Sequence, residues 1–231
     1  MRTLASDTSL AAGSVAALDE GRSAERRLQT PTDHARLLAA ALVDVSHRLG
    51  WAPRDAGLVA VVRGPGSFTG LRVGLATAKA LAWATGARLV GVSAFDVVAR
   101  TTARTCGGGP IAIAFDAGRG EVFAATATPA AGAATGWTIG PTAILDRGAW
   151  VAGLPVGGIV SGPAVAGCLD ALTRRGDLVI AAPEARFPSA TEAGAAGLAL
   201  AAAGVADDPA ALVPDYLRLS YADERGAAPG R

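Results

Sequence analysis

The stretch from Leu58 to Thr85 constrains the fold more than any other part of the chain. Residues 58–62, Leu-Val-Ala-Val-Val, form an unbroken aliphatic run of strand length, the pattern of a parallel strand buried on both faces. The run feeds Arg63-Gly64-Pro65-Gly66-Ser67-Phe68-Thr69-Gly70-Leu71-Arg72, and a helix is predicted from about Thr69 to Thr85, ending before Gly86. A strand, a tight glycine turn and a long helix in that order commit the chain to an α/β layer fold. The glycine turn has two readings. It exposes backbone N–H groups to an anion, or it is a tight crossover in which Gly64 and Gly66 take unusual backbone angles. Its spacing matches neither GxGxxG nor a GK[ST] phosphate loop.

The flanks fit a mixed sheet. Residues 3–6 and 13–18 predict a hairpin whose first strand stops at the turn formers Asp7-Thr8-Ser9. A helical period begins at Asp33, with Leu38, Leu42, Val45 and Leu49 on one side and Gly50 as its stop. Residues 89–92 predict a strand, a helix starts at Ser93, and residues 101–110 read as a flexible connection. Beyond it, residues 111–115 and 121–126 form a second strand, aspartate (Asp116), turn and strand unit. The echo of the Asp7 hairpin implies an internal duplication with its boundary near residue 105. Further on, residues 129–140 read as a loop, 159–161 and 178–181 as strands, and 165–174 as a helix. A last helix is expected over 191–203 with Thr191 as its N-cap, then an extended segment over 214–218 that runs into polar residues.

Composition narrows the function. The chain is 51% apolar but only 5% aromatic, which suits close packing of small side chains on a buried sheet. The net charge of +1 gives no field that would draw RNA or an acidic membrane, so this chain is a poor main contact for nucleic acid. Cys106 and Cys168 stand far apart without CxxC spacing, which argues against a disulfide framework or zinc site and for a reducing compartment. With neither a signal-like N-terminus nor a membrane-length apolar run, a soluble cytoplasmic protein is expected.

Chemistry-bearing residues are sparse. His34 and His47 are 13 apart, not the i, i+4 spacing of a shared metal, and no GxSxG motif is present. Asp7 and Asp116 hold matching places in the two halves. They either orient a metal–nucleotide complex, as carboxylates do in actin-like phosphotransferases, or only terminate strands. The helix after the glycine turn carries Gly70, Gly74, Thr77 and Leu81 on one stripe, with Leu71, Leu75, Ala78 and Ala82 beside it. Small residues at that spacing allow a second helix to approach, either inside the fold or from a partner.

Several of these segments resemble one family. Residues 4–9 (Leu-Ala-Ser-Asp-Thr-Ser), 34–38 (His-Ala-Arg-Leu-Leu), 63–74 with the specific run Gly-Pro-Gly-Ser-Phe-Thr-Gly-Leu-Arg-Val-Gly, and 91–93 (Gly-Val-Ser) are similar to the TsaB family. Residues 115–122 and 214–218 (Pro-Asp-Tyr-Leu-Arg) share the likeness. Ser6 and Ala117-Gly118 depart from the commoner family residues and weaken any expectation of residual phosphate binding. The resemblance implies an actin-like (ASKHA) α/β fold of two duplicated ribonuclease-H-like lobes, residues 1–105 and 106–231, with mixed sheets flanked by helices. It further implies a non-catalytic subunit without cofactor or metal. Such a subunit pairs with a TsaD-type catalytic subunit for threonylcarbamoyl transfer to the adenosine beside the tRNA anticodon, and helps dock a TsaE-type ATPase. A homodimer would form in the absence of the catalytic subunit, and tRNA would be met only through the complex.

The catalytic sister carries an HxxxH metal motif where this chain has Ala94 and Val98, whose side chains cannot ligate metal. The resemblance places the partner interface on the two apolar helices, at Leu38, Leu42, Val45, Gly70, Leu71, Gly74, Leu75, Ala78 and Leu81, with Gly74→Arg expected to block association. The rival readings are a glycoprotease-like hydrolase and an actin-like phosphotransferase. The missing histidine pair argues against the first, and the absence of adenosine-binding glycine motifs in the second half argues against the other.

Overall fold

The structure, a computed structural model, describes residues 1–218. The polar residues expected after Arg218, and with them the end of the second expected lobe, lie outside the described residues. Strands β1 (Thr3–Asp7), β2 (Gly13–Asp19), β3 (Arg22–Leu28), β4 (Leu58–Gly64) and β5 (Arg88–Ser93) form the first sheet in the order β3-β2-β1-β4-β5. β2 runs antiparallel to both β1 and β3, whereas β4 pairs parallel with β1 and β5 with β4. The β2–β3 turn places Glu20 at φ 47° and Gly21 at φ 81°, the double positive-φ geometry that matches a two-residue hairpin to strand twist. β3 was not expected from the sequence. It is a polar edge strand in which only Ala24 and Leu28 are buried, so no apolar alternation betrays it.

The second sheet repeats the plan. β6 (Ile111–Gly118), β7 (Glu121–Pro129), β8 (Trp137–Ile139), β9 (Ala143–Asp146), β10 (Ile159–Ser161) and β11 (Val179–Ile180) take the order β11-β10-β6-β7-β8, with β9 also on β7. β6 and β7 are antiparallel, and β10 and β11 continue parallel beyond β6. Each half thus sets an antiparallel hairpin beside two parallel strands in the same order, the duplicated ribonuclease-H-like arrangement of an actin-like fold.

Helices complete five layers. α1 (Pro31–Arg48) and α2 (Phe68–Thr85) cover the outer face of the first sheet. α4 (Arg147–Ala152) and α5 (Leu169–Arg175) cover the outer face of the second, with a 3-10 segment over Pro163–Cys168. α3 (Ala94–Cys106) and α6 (Ala190–Ala202) lie between the sheets, in one core with Ala5, Ala60, Val90, Ile113 and Phe115. The chain therefore crosses over. α3 meets the second sheet through the edge-on pair Phe95–Phe115, centroids 5.1 Å apart, and through the buried bond from Thr102 Oγ1 to Ser161 Oγ at 2.7 Å. α6 returns to the first sheet, where Ser14 Oγ accepts the N–H of Ala190 at 2.8 Å. Between the two helices Glu192, 5% exposed, meets Arg104 at 2.6 Å and Arg100 at 3.4 Å, so its buried charge is paired.

Three local expectations are corrected. Residues 101–106 continue α3 as helix, since Thr101 and Thr105 return their hydroxyls to Val97 O (2.9 Å) and Thr102 O (3.1 Å), and the stop comes at Gly107. The N-cap of α6 is Ser189, whose Oγ accepts the N–H of Glu192 at 3.2 Å, while Thr191 bonds the Glu25 carboxylate instead. Residues 137–152 hold β8, β9 and α4, elements too short to show a period.

The alanine and glycine content has a packing cause at α6. A Cβ on Gly197 would stand 2.6 Å from Ala60 Cβ, an atom fixed to the centre of the sheet. Gly197→Ala is expected to lower stability by about 1 kcal/mol, because overpacking at roughly 1–3 kcal/mol outweighs the ~1 kcal/mol helix gain. Gly108→Ala meets open space and serves as the control in the same denaturant titration.

Candidate functional site

The glycine turn wraps the β1–β2 turn. A Cβ on Gly66 would lie 2.3 Å from Ser9 O, one on Gly70 2.0 Å from Thr8 O, and one on Gly74 2.2 Å from Thr8 Oγ1. No side chain fits at these positions, so the three glycines let α2 approach the Thr8-Ser9 backbone directly. The approach is bonded: Ser67 N–H donates to Ser9 O at 2.7 Å, and Thr8 Oγ1 donates to Gly70 O at 2.8 Å. Ser67 caps the helix by accepting from Gly70 N–H at 3.3 Å, and its carbonyl takes the Leu71 N–H at 2.9 Å. Several N–H groups that an anion would need are thus taken by the protein's own chain. Of the two readings of the turn, this geometry supports the tight crossover.

Asp7 lies at the centre of this arrangement and is 1% exposed. Its Oδ1 accepts the Ser9 N–H at 2.9 Å. Burial pushes its carboxyl from the ordinary 3.8 up to about 6; the bonds from Ser9 oppose that shift and the charge of Glu25 adds to it. Asp116 differs. It is exposed, accepts the Gly118 N–H at 2.7 Å and pairs with Arg147 at 3.1 Å. Among the described residues no three His, Cys, Asp or Glu side chains cluster to hold a metal ion. His34 is buried at the start of α1 and His47 is exposed at its end.

The extended segment over 212–218 fastens the glycine turn to the second sheet. Asp215 pairs with Arg63 at 3.2 Å and donates its N–H to Arg63 O at 2.8 Å. Arg72 donates to Tyr216 Oη at 2.8 Å while its guanidinium lies 3.8 Å from the Phe68 ring centre. Arg218 donates to Ala117 O at 2.9 Å and pairs with Glu121 on β7.

The outer face of α1 and α2 is different in character. A groove of about 500 Å³ runs between them, lined by Ala39, Val43, Ala76, Ala80 and the edges of Leu42 and Leu81. Beside it Trp83 is 86% exposed, a large apolar side chain with little of its surface covered. Of the nine residues expected at a partner interface, eight point inward. Leu38, Leu42, Val45, Leu71, Leu75 and Ala78 are at most 5% exposed in the chain's own core, and Gly70 and Gly74 rest on Thr8. Only Leu81 is partly exposed. Eight of the nine expected residues are thus engaged in the chain's own packing, and the outward stripe of α1 and α2 is formed by Ala39, Val43, Ala76, Ala80 and Trp83. Gly74→Arg would break the contact with Thr8 and so cannot report on association. The overlooked signal was the apolar residue set left over once each helix had supplied its core stripe.

Comparisons with known proteins agree with this architecture. The Escherichia coli (strain K12) protein named tRNA threonylcarbamoyladenosine biosynthesis protein TsaB is 34% identical over 123 residues, covering 53% of each chain. The Bacillus subtilis (strain 168) protein of the same name is 39% identical over 72 residues, 31% of each. The chain thus spans about half the length of the curated relatives it matches, or less. The solved structure of YeaZ from Pseudomonas aeruginosa is 26% identical with a TM-score of 0.79, covering 94% of this chain and 99% of that one. A family model described as "TsaD: tRNA N6-adenosine threonylcarbamoyltransferase" matches residues 29–167. The chain belongs to the TsaB family.

Within that family frame, three of the six segments that carried the resemblance meet in space: the glycine turn, the 115–122 hairpin and the 214–218 segment are joined by the Arg63, Arg72 and Arg218 contacts. Ala94 and Val98, where a TsaD-type chain would place its histidine pair, are fully buried in the layer between the sheets.

The Asp7 carboxyl gives this TsaB-family chain a testable pH response. Its folded value lies above its unfolded one, so the native state binds the extra proton. The associated stability is present below about pH 4 and is lost as pH rises through about 6. Asp7→Asn is expected to raise the unfolding free energy at pH 7.5 by roughly 1–3 kcal/mol, with the advantage vanishing near pH 4. Denaturant titrations of both proteins across that range measure it; a constant difference with pH would refute the assignment.

Proposed function

We propose that this chain is a non-catalytic subunit that pairs with a TsaD-type catalytic subunit through the outer face of α1 and α2. In that role it holds the partner in a competent form for threonylcarbamoyl transfer to the adenosine next to the tRNA anticodon, and offers a docking surface to a TsaE-type ATPase. A second copy would occupy the same face when the catalytic subunit is absent. The observation that carries this reading is the uncovered apolar groove with Trp83 at its rim. A groove of this kind loses apolar surface to a facing helix at about 25 cal/mol per Å², before the entropy costs of association. The names of the two curated relatives support the pathway, and the near-zero net charge supports contact with tRNA through the complex. Membrane attachment through a helix has no support, since no helix among the described residues is long and apolar enough to cross a bilayer.

Reconstitution tests the reading. With purified TsaD-type and TsaE-type subunits, the threonylcarbamoyl donor and unmodified tRNA, modified nucleoside measured by mass spectrometry should require this chain, and this chain alone should produce none. Trp83→Glu and Val43→Glu, both on exposed positions, should weaken association with the catalytic subunit by about tenfold or more while leaving thermal unfolding unchanged. Full modification without this chain, or unchanged pairing in both variants, would sink the proposal.

A further inference from the structure

A second cavity, of about 460 Å³, opens where β5 ends and α3 begins. It lies outside the carboxyl ends of the parallel strands β4 and β5, the place where open α/β sheets hold ligands. Val92, Trp137 and Leu200 give it apolar walls, and Arg63, Asp96 and Asp207 give it charge. The charges do not balance. Arg63 is already paired with Asp215 at 3.2 Å, and Arg100, which neighbours Asp96 on α3, is engaged with Glu192 at 3.4 Å and Thr135 O at 2.8 Å. Two carboxylates remain. Asp207 Oδ2 accepts the Gly91 N–H at 2.8 Å. Asp96 is only 8% exposed; its Oδ2 accepts from Thr135 Oγ1 at 2.6 Å, and its Oδ1 has no hydrogen-bond donor among the described residues.

A buried carboxylate oxygen without a donor is costly, and a native fold that keeps one calls for an explanation. Burial also lifts the Asp96 carboxyl above the usual range, against the pull of Thr135 and Arg100. We propose that this cavity binds a small organic cation, a protonated primary amine on a short apolar body. Its ammonium would meet the Asp96 and Asp207 carboxylates in the cavity wall, and its carbon chain would lie against Val92, Trp137 and Leu200. The volume falls in the range of small-molecule sites. An anion is disfavoured by the two carboxylates, and a hard metal ion by the lack of a third ligating side chain among the described residues. The site stands apart from the α1–α2 face and is independent of the pairing reading.

Titration of the isolated protein with n-butylammonium, n-butanol and butyrate, followed through the amide NMR signals of Gly91, Ser93 and Thr135, tests the proposal. Butylammonium should give saturable shifts with an affinity about tenfold or more above the alcohol and the carboxylate. Asp96→Asn should lose about tenfold or more of that affinity. Ala134→Arg, an exposed change at the rim that offers a competing guanidinium, should do the same without moving the unfolding temperature. Equal binding of alcohol and amine would reduce the cavity to an apolar dent. A preference for butyrate, unaltered affinity in both variants, or no saturable shift with any probe would each overturn the assignment.

Discussion

The contact on which the rest depends is the approach of α2 to the Thr8-Ser9 backbone, closer than any Cβ allows. Gly70 and Gly74 lie one helical turn apart, Gly66 stands just before the helix cap, and all three face the same two residues. The contact fixes where α2 starts, because Ser67 must bond Ser9 O with its N–H while capping the helix with its hydroxyl. It also fixes how α2 is rotated. With Gly70 and Gly74 held on Thr8 and Leu75, Ala78 and Ala82 on the sheet, Ala76, Ala80 and Trp83 must point away from the fold. An internal packing constraint therefore determines which side of the helix is offered to the outside. The same contact fills the loop that in other strand–turn–helix units cradles a phosphate.

The second constraint is the layer shared by the two sheets. α3 belongs in sequence to the first sheet and packs on the second, while α6 does the reverse. Neither half can bury its inner face without a helix from the other, so the two sheets are expected to unfold together. Small side chains make this possible: Ala193, Ala196 and Gly197 let α6 lie flat on Ala5 and Ala60. The Glu192 contacts with Arg100 and Arg104 fix the two helices against each other, and loss of the glutamate alone would take the carboxylate from the largely covered Arg100. On the outside, the segment over 212–218 adds a second tie between the sheets through Arg63, Tyr216 and Arg218.

Much of this was legible in the sequence because it rests on strong local signals. The aliphatic run at 58–62 became β4, the period from Asp33 became α1, and the two strand–aspartate–turn units became the matching hairpins. What failed did so for identifiable reasons. β3 is a charged edge strand, so its pairing partner defines it and its own pattern does not. Residues 101–106 carry threonines that weaken helix propensity, yet packing against the second sheet holds them in α3. The outward stripe of α2 was not legible because the helix carries apolar residues on two faces. The period locates both stripes but does not say which one the sheet takes. The packing decides: Leu75, Ala78 and Ala82 fill the space above Val59 and Val61, and Ala76, Ala80 and Trp83 stay outside.

That division also bears on the carboxyl-end side of the first sheet. In this fold the carboxyl ends of β1, β4 and β5 face the region where two lobes would enclose a nucleotide. Here the end of β1 is sealed by α2 over Asp7, and Asp116 is held by Arg147. The start of α3 carries methyl groups at Ala94 and Val98, packed at zero exposure. Burial at Asp7 raises its carboxyl to about 6, a cost that the surrounding packing has to outweigh. The glycine contacts on Thr8 hold α2, and with it Ala76, Ala80 and Trp83, in one orientation.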